Sequence, residues 1–328
     1  MKYSIILPVR NGGHYVKECV SSILAQTLSD FHLQVLDNCS TDGTLEWIRS
    51  LKDDRITCYP AEKPLLIEEN WARIASIPKQ EFMTMIGHDD LLLPHYLEEM
   101  DHLIRLHPGA SLYQTHYDYI DAQSAFIRPC LPMDEVQRVH EFLACHMART
   151  GDSMGTGYMM RSNQYDLLGG MPPQYPNLIF ADYELWISLM RKSYKAASLR
   201  TCFQYRIHQS VSRTTNGMQY QEAFGMYVAF IRKLLHEDAA IREVVSRYGK
   251  EMLLYYCESL SHRLLRTPPH DRSATVSTFI EKCEQYAAEL IPGQSFDPLR
   301  VSRINLARKL DRSAAGRTIF KLYRKIKY

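Results

Sequence analysis

The stretch "GHDD" at Gly87–Asp90 sets two adjacent carboxylates directly behind the apolar run "EFMTMI". Neighbouring anions repel, so a pair placed at the end of a buried strand needs water or a cation beside it. Hard divalent ions such as Mg²⁺ or Mn²⁺ are held in this way by one or two carboxylates when other oxygens complete the shell. The plainer alternative is a helix cap, with Asp90 opening a helix over "LLLPHYLEEM" and Asp89 simply solvated. His88 reads as a lining residue, because no second His or Cys stands at a zinc-ligand spacing.

Three other clusters carry polar chemistry. In "LDNCSTDGT" the carboxylate of Asp37 and the amide of Asn38 offer acceptors and donors for the edge of a nucleotide base, while Ser40, Thr41 and Asp42 suit a turn and a helix cap. Asp182 and Glu184 in "FADYELWISL" stand at a helix start, where a cap is one explanation and a partly desolvated proton acceptor another. "YRIHQSVSR" supplies Arg206, His208 and Arg213 at a strand end, and the glycines of "GTGYMMR" (Gly155, Gly157, around Thr156) allow close backbone approach or a turn.

The elements that must position these residues are legible. "YSIILPV", "FHLQVLD", "RITCYP" and "EFMTMI" read as strands, with helices after the first three; Val16, Cys19, Val20, Ile23 and Leu24 mark the first helix by their spacing. Strands alternating with helices imply a mostly parallel α/β sheet with right-handed crossovers. Sites in such sheets lie at the carboxyl ends of the strands. "RNGG", "DNCSTDG" and "GHDD" each follow a strand, so all three are expected on one edge. Further on, "LYQTHYDYID" reads as a strand, "MDEVQRVHEFLACHMA" as a helix and "GTGYMMRSNQYDLLGG" as strand, turn and short helix. "FADYELWISLMRKSYK" reads as a helix with Leu185, Trp186 and Leu189 inward, and "TCFQYRIH" as a strand. From about residue 216 only amphipathic helical patterns remain. The expected division is 1–215 as an α/β catalytic domain and 216–328 as a helical C-terminal region.

Composition narrows the class. With 39 basic and 37 acidic residues in 328, the net charge of +2 gives no reason to expect nucleic acid as a partner. No run approaches the roughly 18 to 20 apolar residues of a membrane span, and the N-terminal apolar run is too short for a signal peptide. Eight scattered cysteines without a C-x-x-C pair point to reduced thiols and a cytoplasmic protein. The end, "LARKLDRSAAGRTIFKLYRKIKY", interleaves Ile319, Phe320, Leu322, Tyr323 and Ile326 with Arg317, Lys321, Arg324, Lys325 and Lys327. Such a segment either lies peripherally on an anionic inner membrane surface or is a solvated helix.

Taken in order, "SIILPVRNGGHYVKECVSSILAQTLSDFHLQVLDNCSTDGT", "NWARIA", "GHDDLLLP", "ADYELWISL" and "YRIHQSVSR" resemble family 2 glycosyltransferases over about residues 1 to 213. The resemblance implies the GT-A (Rossmann-like) fold and inverting transfer from a nucleotide sugar. It implies that Pro8, Arg10, Asn11, Asp37, Asn38, Asp89 and Arg206 contact the donor. It also implies that Asp90, Asp89 and His208 hold Mn²⁺ or Mg²⁺ on the donor diphosphate, whose departing charge a cation stabilises. Asp182 takes the aspartate position of the family's E-D-x-x-L-W pattern, with Ala181 in place of the glutamate, and so the role of base. The family often has two aspartates where this chain has Asp37 and Asn38, one of them on uracil, which implies a UDP-sugar. Gly87 replaces an aspartate of the family's D-x-D motif. The absence of Q-x-x-R-W implies a non-processive hexosyl- or N-acetylhexosaminyltransferase acting on a saccharide or lipid-linked glycan in surface polysaccharide assembly. A nucleotidyltransferase would carry a richer phosphate loop than "VRNGGHY", and a non-catalytic sugar-nucleotide binder would lack the acidic residues present here.

Overall fold

The structure, a computed structural model, describes residues 1–208 and 215–327. Its residues fall into two compact units. The first comprises Met1–Phe142, Thr150–Gln174 and 181–208, and the second comprises Leu143–Arg149, Tyr175–Phe180 and the described residues from 215 on.

The first unit is built on one sheet of ten strands: β1 (Tyr3–Val9), β2 (Phe31–Asp37), β3 (Ile56–Cys58), β4 (Phe82–Met85), β5 (Leu91–Leu92), β6 (Leu112–Ile120), β7 (Phe126–Pro129), β8 (Val136–Gln137), β9 (Met159–Arg161) and β10 (Lys195–Arg206). The order is β3-β2-β1-β4-β9-β6-β10-β5, with β7 beside β6 and β8 beside β10. β3, β2, β1 and β4 pair in parallel, as do β6 and β10. β9 runs antiparallel to both β4 and β6, so those two halves share one direction. The result is the mostly parallel α/β sheet expected, with short antiparallel strands set into it. Continuous burial of all seven β1 residues explains its unbroken apolar run.

Helices α1 (Gly13–Leu24), α2 (Thr44–Ser50), α3 (Ile67–Ala72) and α4 (Tyr96–Leu106) follow β1, β2, β3 and β5. Val16, Cys19, Val20 and Ile23 bury the inner face of α1, while Leu24 is only half-buried. The remaining helices up to β10 are α5 (Val139–Ala148), α6 (Ser162–Leu167) and α7 (Ala181–Met190), where Leu185, Trp186 and Leu189 are buried.

One alternative is excluded and two local expectations are corrected. Asp90 caps no helix: Leu91–Leu92 form β5 against Phe203 and Gln204, and α4 starts only at Tyr96. Pro94 is the physical reason, since it disfavours helix at Leu93, whose N–H instead donates to Cys202 O at 2.9 Å. The helix expected from Met133 begins at Val139, because Val136 and Gln137 pair with β10. Likewise α7 stops at Met190, and Lys195 already opposes Leu112 in β10, which starts earlier than "TCFQYRIH" suggests.

The second unit is helical, and no strand occurs among its described residues. It contains α8 (Gly217–Glu237), α9 (Ala239–Arg266), α10 (Val276–Leu290), α11 (Ser302–Asp311) and α12 (Ala314–Lys327). Asn216 and Asp238 cap α8 and α9 by accepting from two backbone N–H groups each. The Arg272–Asp311 ion pair, 2.7 Å and almost wholly buried, ties the start of α10 to the end of α11, since Asp311 also accepts from Val276 N. No described helix is long and apolar enough to cross a membrane.

Candidate active site

The three polar loops after β1, β2 and β4 meet at the carboxyl edge of the sheet. Asn11, in the left-handed region that asparagine tolerates (φ 52°), accepts from Thr41 N at 2.8 Å through its side chain, and its own N–H donates to Ser40 Oγ at 2.9 Å. Gly12 N donates to Thr44 Oγ1 and Gly13 N to Asp42 Oδ2. The β1 loop and the start of α2 are thus one hydrogen-bonded body. Pro8 is buried within β1, and Arg10 is exposed at the rim.

Asp37 and Asn38 are both buried but serve differently. Asn38 donates from Nδ2 to Leu65 O at 3.0 Å and accepts at Oδ1 from Leu65 N at 2.8 Å. Its amide therefore imitates a strand partner for residue 65. One Asp37 oxygen accepts from Ser40 N at 3.2 Å, and the other, Oδ1, is buried without a hydrogen-bond partner. A buried orphan acceptor costs free energy unless a ligand donates to it.

The acidic loop places its two carboxylates unequally. Asp89 is partly exposed, and its Oδ2 lies 2.5 Å from His208 Nε2. Asp90 is 3% exposed; Oδ1 accepts from Arg206 N and Oδ2 from Thr156 Oγ1, each at 3.0 Å. Burial, with the charge of Asp89 added, raises the Asp90 carboxyl well above the usual range. A Cβ on Gly87 would stand 2.6 Å from Asp89 Oδ1 and 3.1 Å from Asp90 Oδ2. His88 is half-buried, and burial lowers its pKa, as suits a neutral lining group.

Arg206, expected on the donor, lies behind the acidic loop. Its side chain is fully buried and donates from Nε to Asp89 O (2.7 Å), from one terminal nitrogen to Asp121 O and Ser124 Oγ, and from the other to Glu18 Oε2 (2.7 Å). The guanidinium is thus held by internal partners. Arg213, by contrast, lies outside the described residues.

Asp182 sits one residue inside α7 and is half-buried, so it is not the helix cap. Desolvation raises its carboxyl to about 6, against the lowering effect of hydrogen bonds from the N–H groups of Tyr183 and of Asp182 itself. The glycine-containing loop spans this carboxylate and the acidic loop: a Cβ on Gly155 would lie 3.5 Å from Asp182 Oδ2, and Thr156 donates to Asp90. Gly157 is required on two counts, a φ of +78° and a Cβ position 2.7 Å from Phe203.

Among the described residues no group of three or more His, Cys, Asp or Glu forms a metal-holding set. The Asp89–His208 pair alone does not fit a closed zinc site. One carboxylate and one imidazole do fit Mg²⁺ or Mn²⁺ completed by water and phosphate oxygens. Glu18 and Tyr15 were not singled out from the sequence. They lie i,i+3 on α1, with Tyr15 stacked under the Arg206 guanidinium at 4.6 Å, 5.1 Å from the His208 ring. That helical spacing was the available signal, but nothing local told which partner it served.

Comparison with known proteins agrees with this geometry. Residues 4–159 match the model of glycosyl transferase family 2. A relative described as an uncharacterised glycosyltransferase of Rickettsia typhi is 25% identical over 248 residues, covering 72% of this chain and 73% of its own. Among solved structures, S. aureus TarS 1–349 in complex with UDP-GlcNAc superposes with a TM-score of 0.66 at 12% identity, covering 95% of this chain and 92% of that one. A mannosyltransferase of Pyrobaculum calidifontis, in complex with GDP-Man and Mn²⁺, gives 0.52 at 12% identity, covering 99% and 88%. These structural likenesses establish a GT-A fold, and the matched segment, holding the loops of Asn11, Asp37 and Asp89, is similar to glycosyl transferase family 2.

Proposed function

We propose that the protein is a non-processive, inverting, metal-dependent glycosyltransferase. It moves a sugar from a nucleotide sugar, foremost a UDP-sugar, to a saccharide or lipid-linked glycan acceptor in surface polysaccharide assembly. One observation carries the reading: a carboxylate with a pKa of about 6, Asp182, is joined through the Gly155–Thr156 loop to the Asp89–Asp90 acidic loop. The proposed base thus lies beside the loop that hydrogen-bonds the acidic residues. The sugar nucleotides held by the two structural neighbours support a donor of this class. Uracil in particular presents an imide N–H, which complements the unpaired buried oxygen of Asp37.

In this mechanism Asp182 accepts the proton of the acceptor hydroxyl as that oxygen bonds to the anomeric carbon. The bond from that carbon to the diphosphate oxygen breaks on the opposite face, and its electron pair leaves with the diphosphate, so configuration inverts. Asp89 and His208 would hold the cation, and Asp90 supports the loop from behind. When bound, Mg²⁺ or Mn²⁺ supplies positive charge for the departing diphosphate. Residues 1–215 serve as the catalytic domain, and 216–328 as the region that meets the acceptor. The basic end rests on the anionic cytoplasmic face of a membrane, which the exposed Ile319 and Leu322 beside Lys321 favour.

The test is Asp182→Asn, assayed by nucleotide release with and without acceptor. The variant keeps donor affinity and loses on the order of 10²- to 10⁴-fold in rate. Unchanged turnover removes Asp182 from its role. Flotation with and without phosphatidylglycerol vesicles tests the membrane part.

A further inference from the structure

Arg206 joins three separate parts of the first unit. Its main-chain N–H donates to Asp90 and its Nε to the main-chain carbonyl of Asp89. One terminal nitrogen reaches Asp121 O (3.2 Å) and Ser124 Oγ (2.8 Å) in the turn between β6 and β7, and the other reaches Glu18 Oε2 on α1. Ser124 Oγ itself donates to Glu18 Oε2 at 3.0 Å, closing a ring of three side chains. Tyr15 covers the guanidinium face and donates to Ala122 O in the same turn. Only a planar fork with donors in several fixed directions can satisfy these acceptors together, and a lysine cannot.

We propose that Arg206 is a positioning residue that fixes the backbone of the Asp89–Asp90 loop against α1 and the β6–β7 turn, so that Asp89 is held facing His208. The argument has two parts. The acidic loop is short and carries neighbouring negative charges that tend to drive it apart, while its Asp89 side chain is partly exposed. Arg206 counters this with a permanently charged group placed behind the loop, leaving the front of Asp89 free for a ligand. The fixing of the loop stands on the geometry alone; its consequence for a bound cation rests on the metal reading above.

Hydrogen exchange on the metal-free protein tests the clamp without reference to catalysis. Glu18→Ala and Ser124→Ala each remove one partner from a solvent-accessible position. Each is expected to speed exchange in peptides covering residues 86–92 about tenfold or more, with residues 3–9 unchanged. Arg206→Lys, which keeps the charge and loses the fork, should do the same to a larger extent. Mn²⁺ binding in the presence of UDP, followed by calorimetry, should weaken in the same order. Because α1 itself bonds this segment through Cys19 to Gly87 O and Leu92 N to Ser22 Oγ, Ser124→Ala, in the turn, is the variant that separates the clamp from a local loss of stability in α1. Unaltered exchange there in Glu18→Ala and Ser124→Ala overturns the proposal, whether or not Arg206→Lys folds. If wild-type protein binds no Mn²⁺ while the exchange changes appear, the metal reading falls and the clamp stands.

Discussion

Asp89 and His208 lie 119 residues apart in the chain and meet with Oδ2 and Nε2 at 2.5 Å. They come from the ends of two different parts of the sheet, the loop after β4 and the tail of β10. Their pairing is partly exposed, whereas Asp90 is buried behind it and bonded to Arg206 N and Thr156 Oγ1; in the proposed function Asp89 faces the ligand and Asp90 the frame.

The raised carboxyl of Asp182 predicts two pH effects. With ionised Asp182 as the proposed base, kcat/KM should fall about tenfold per pH unit below its folded pKa of about 6. Stability moves the other way. The folded value lies above the unfolded one of about 3.9, so ionised Asp182 burdens the folded state above pH 6, and the burden fades as pH falls toward 4. Asp182→Asn should therefore melt higher than wild type at pH 8, by a margin worth up to about 3 kcal/mol that vanishes near pH 4. A flat rate profile between pH 5 and 7 and an unaltered melting difference contradict the assignment.

The two residues at the end of β2 should separate by phenotype. Asp37→Asn leaves the Leu65 contacts in place and alters the unpaired oxygen, so nucleotide affinity should drop roughly tenfold, the scale of about 1.4 kcal/mol, at near-normal stability. Asn38→Ala breaks both Leu65 hydrogen bonds and should cost about 1–3 kcal/mol of stability. Calorimetric nucleotide titration and chemical denaturation measure the two. Equal loss of affinity in both assigns the base contact to Asn38 as well.

Backbone requirements at the glycines give a third expectation. Gly157→Ala demands an unfavourable φ and meets Phe203, so denaturation should show a loss of about 1–3 kcal/mol. Gly87→Ala strikes the oxygens of Asp89 and Asp90 and should reduce turnover more than stability. A Gly87→Ala enzyme with full activity means that the two carboxylates are free to rearrange.

Much of this arrangement was legible beforehand, for identifiable reasons. β1, β2 and β4 announce themselves by buried apolar runs stopped by polar clusters, which is why Asn11, Asp37 and Asp89 could be placed on one edge. β5 is only two residues long and merges with the apolar start of α4, so the alternative of Asp90 as a helix cap could not be dismissed from sequence. Nor could periodicity disclose that Asn38 answers Leu65, or that Arg206 answers Glu18 across 188 positions. Such partners are set by tertiary contact, and a residue's type alone does not name them.

The central claim is that the Asp37 and Asp89–His208 edge binds a nucleotide sugar together with a divalent cation. Calorimetric titration of the intact protein with a panel of UDP-, GDP-, dTDP- and CMP-sugars, with and without Mn²⁺, tests it most directly. The account predicts one donor class, UDP-sugars, bound at least about tenfold more tightly when Mn²⁺ is present, and loss of that enhancement in Asp89→Ala. Binding of no sugar nucleotide under either condition contradicts it.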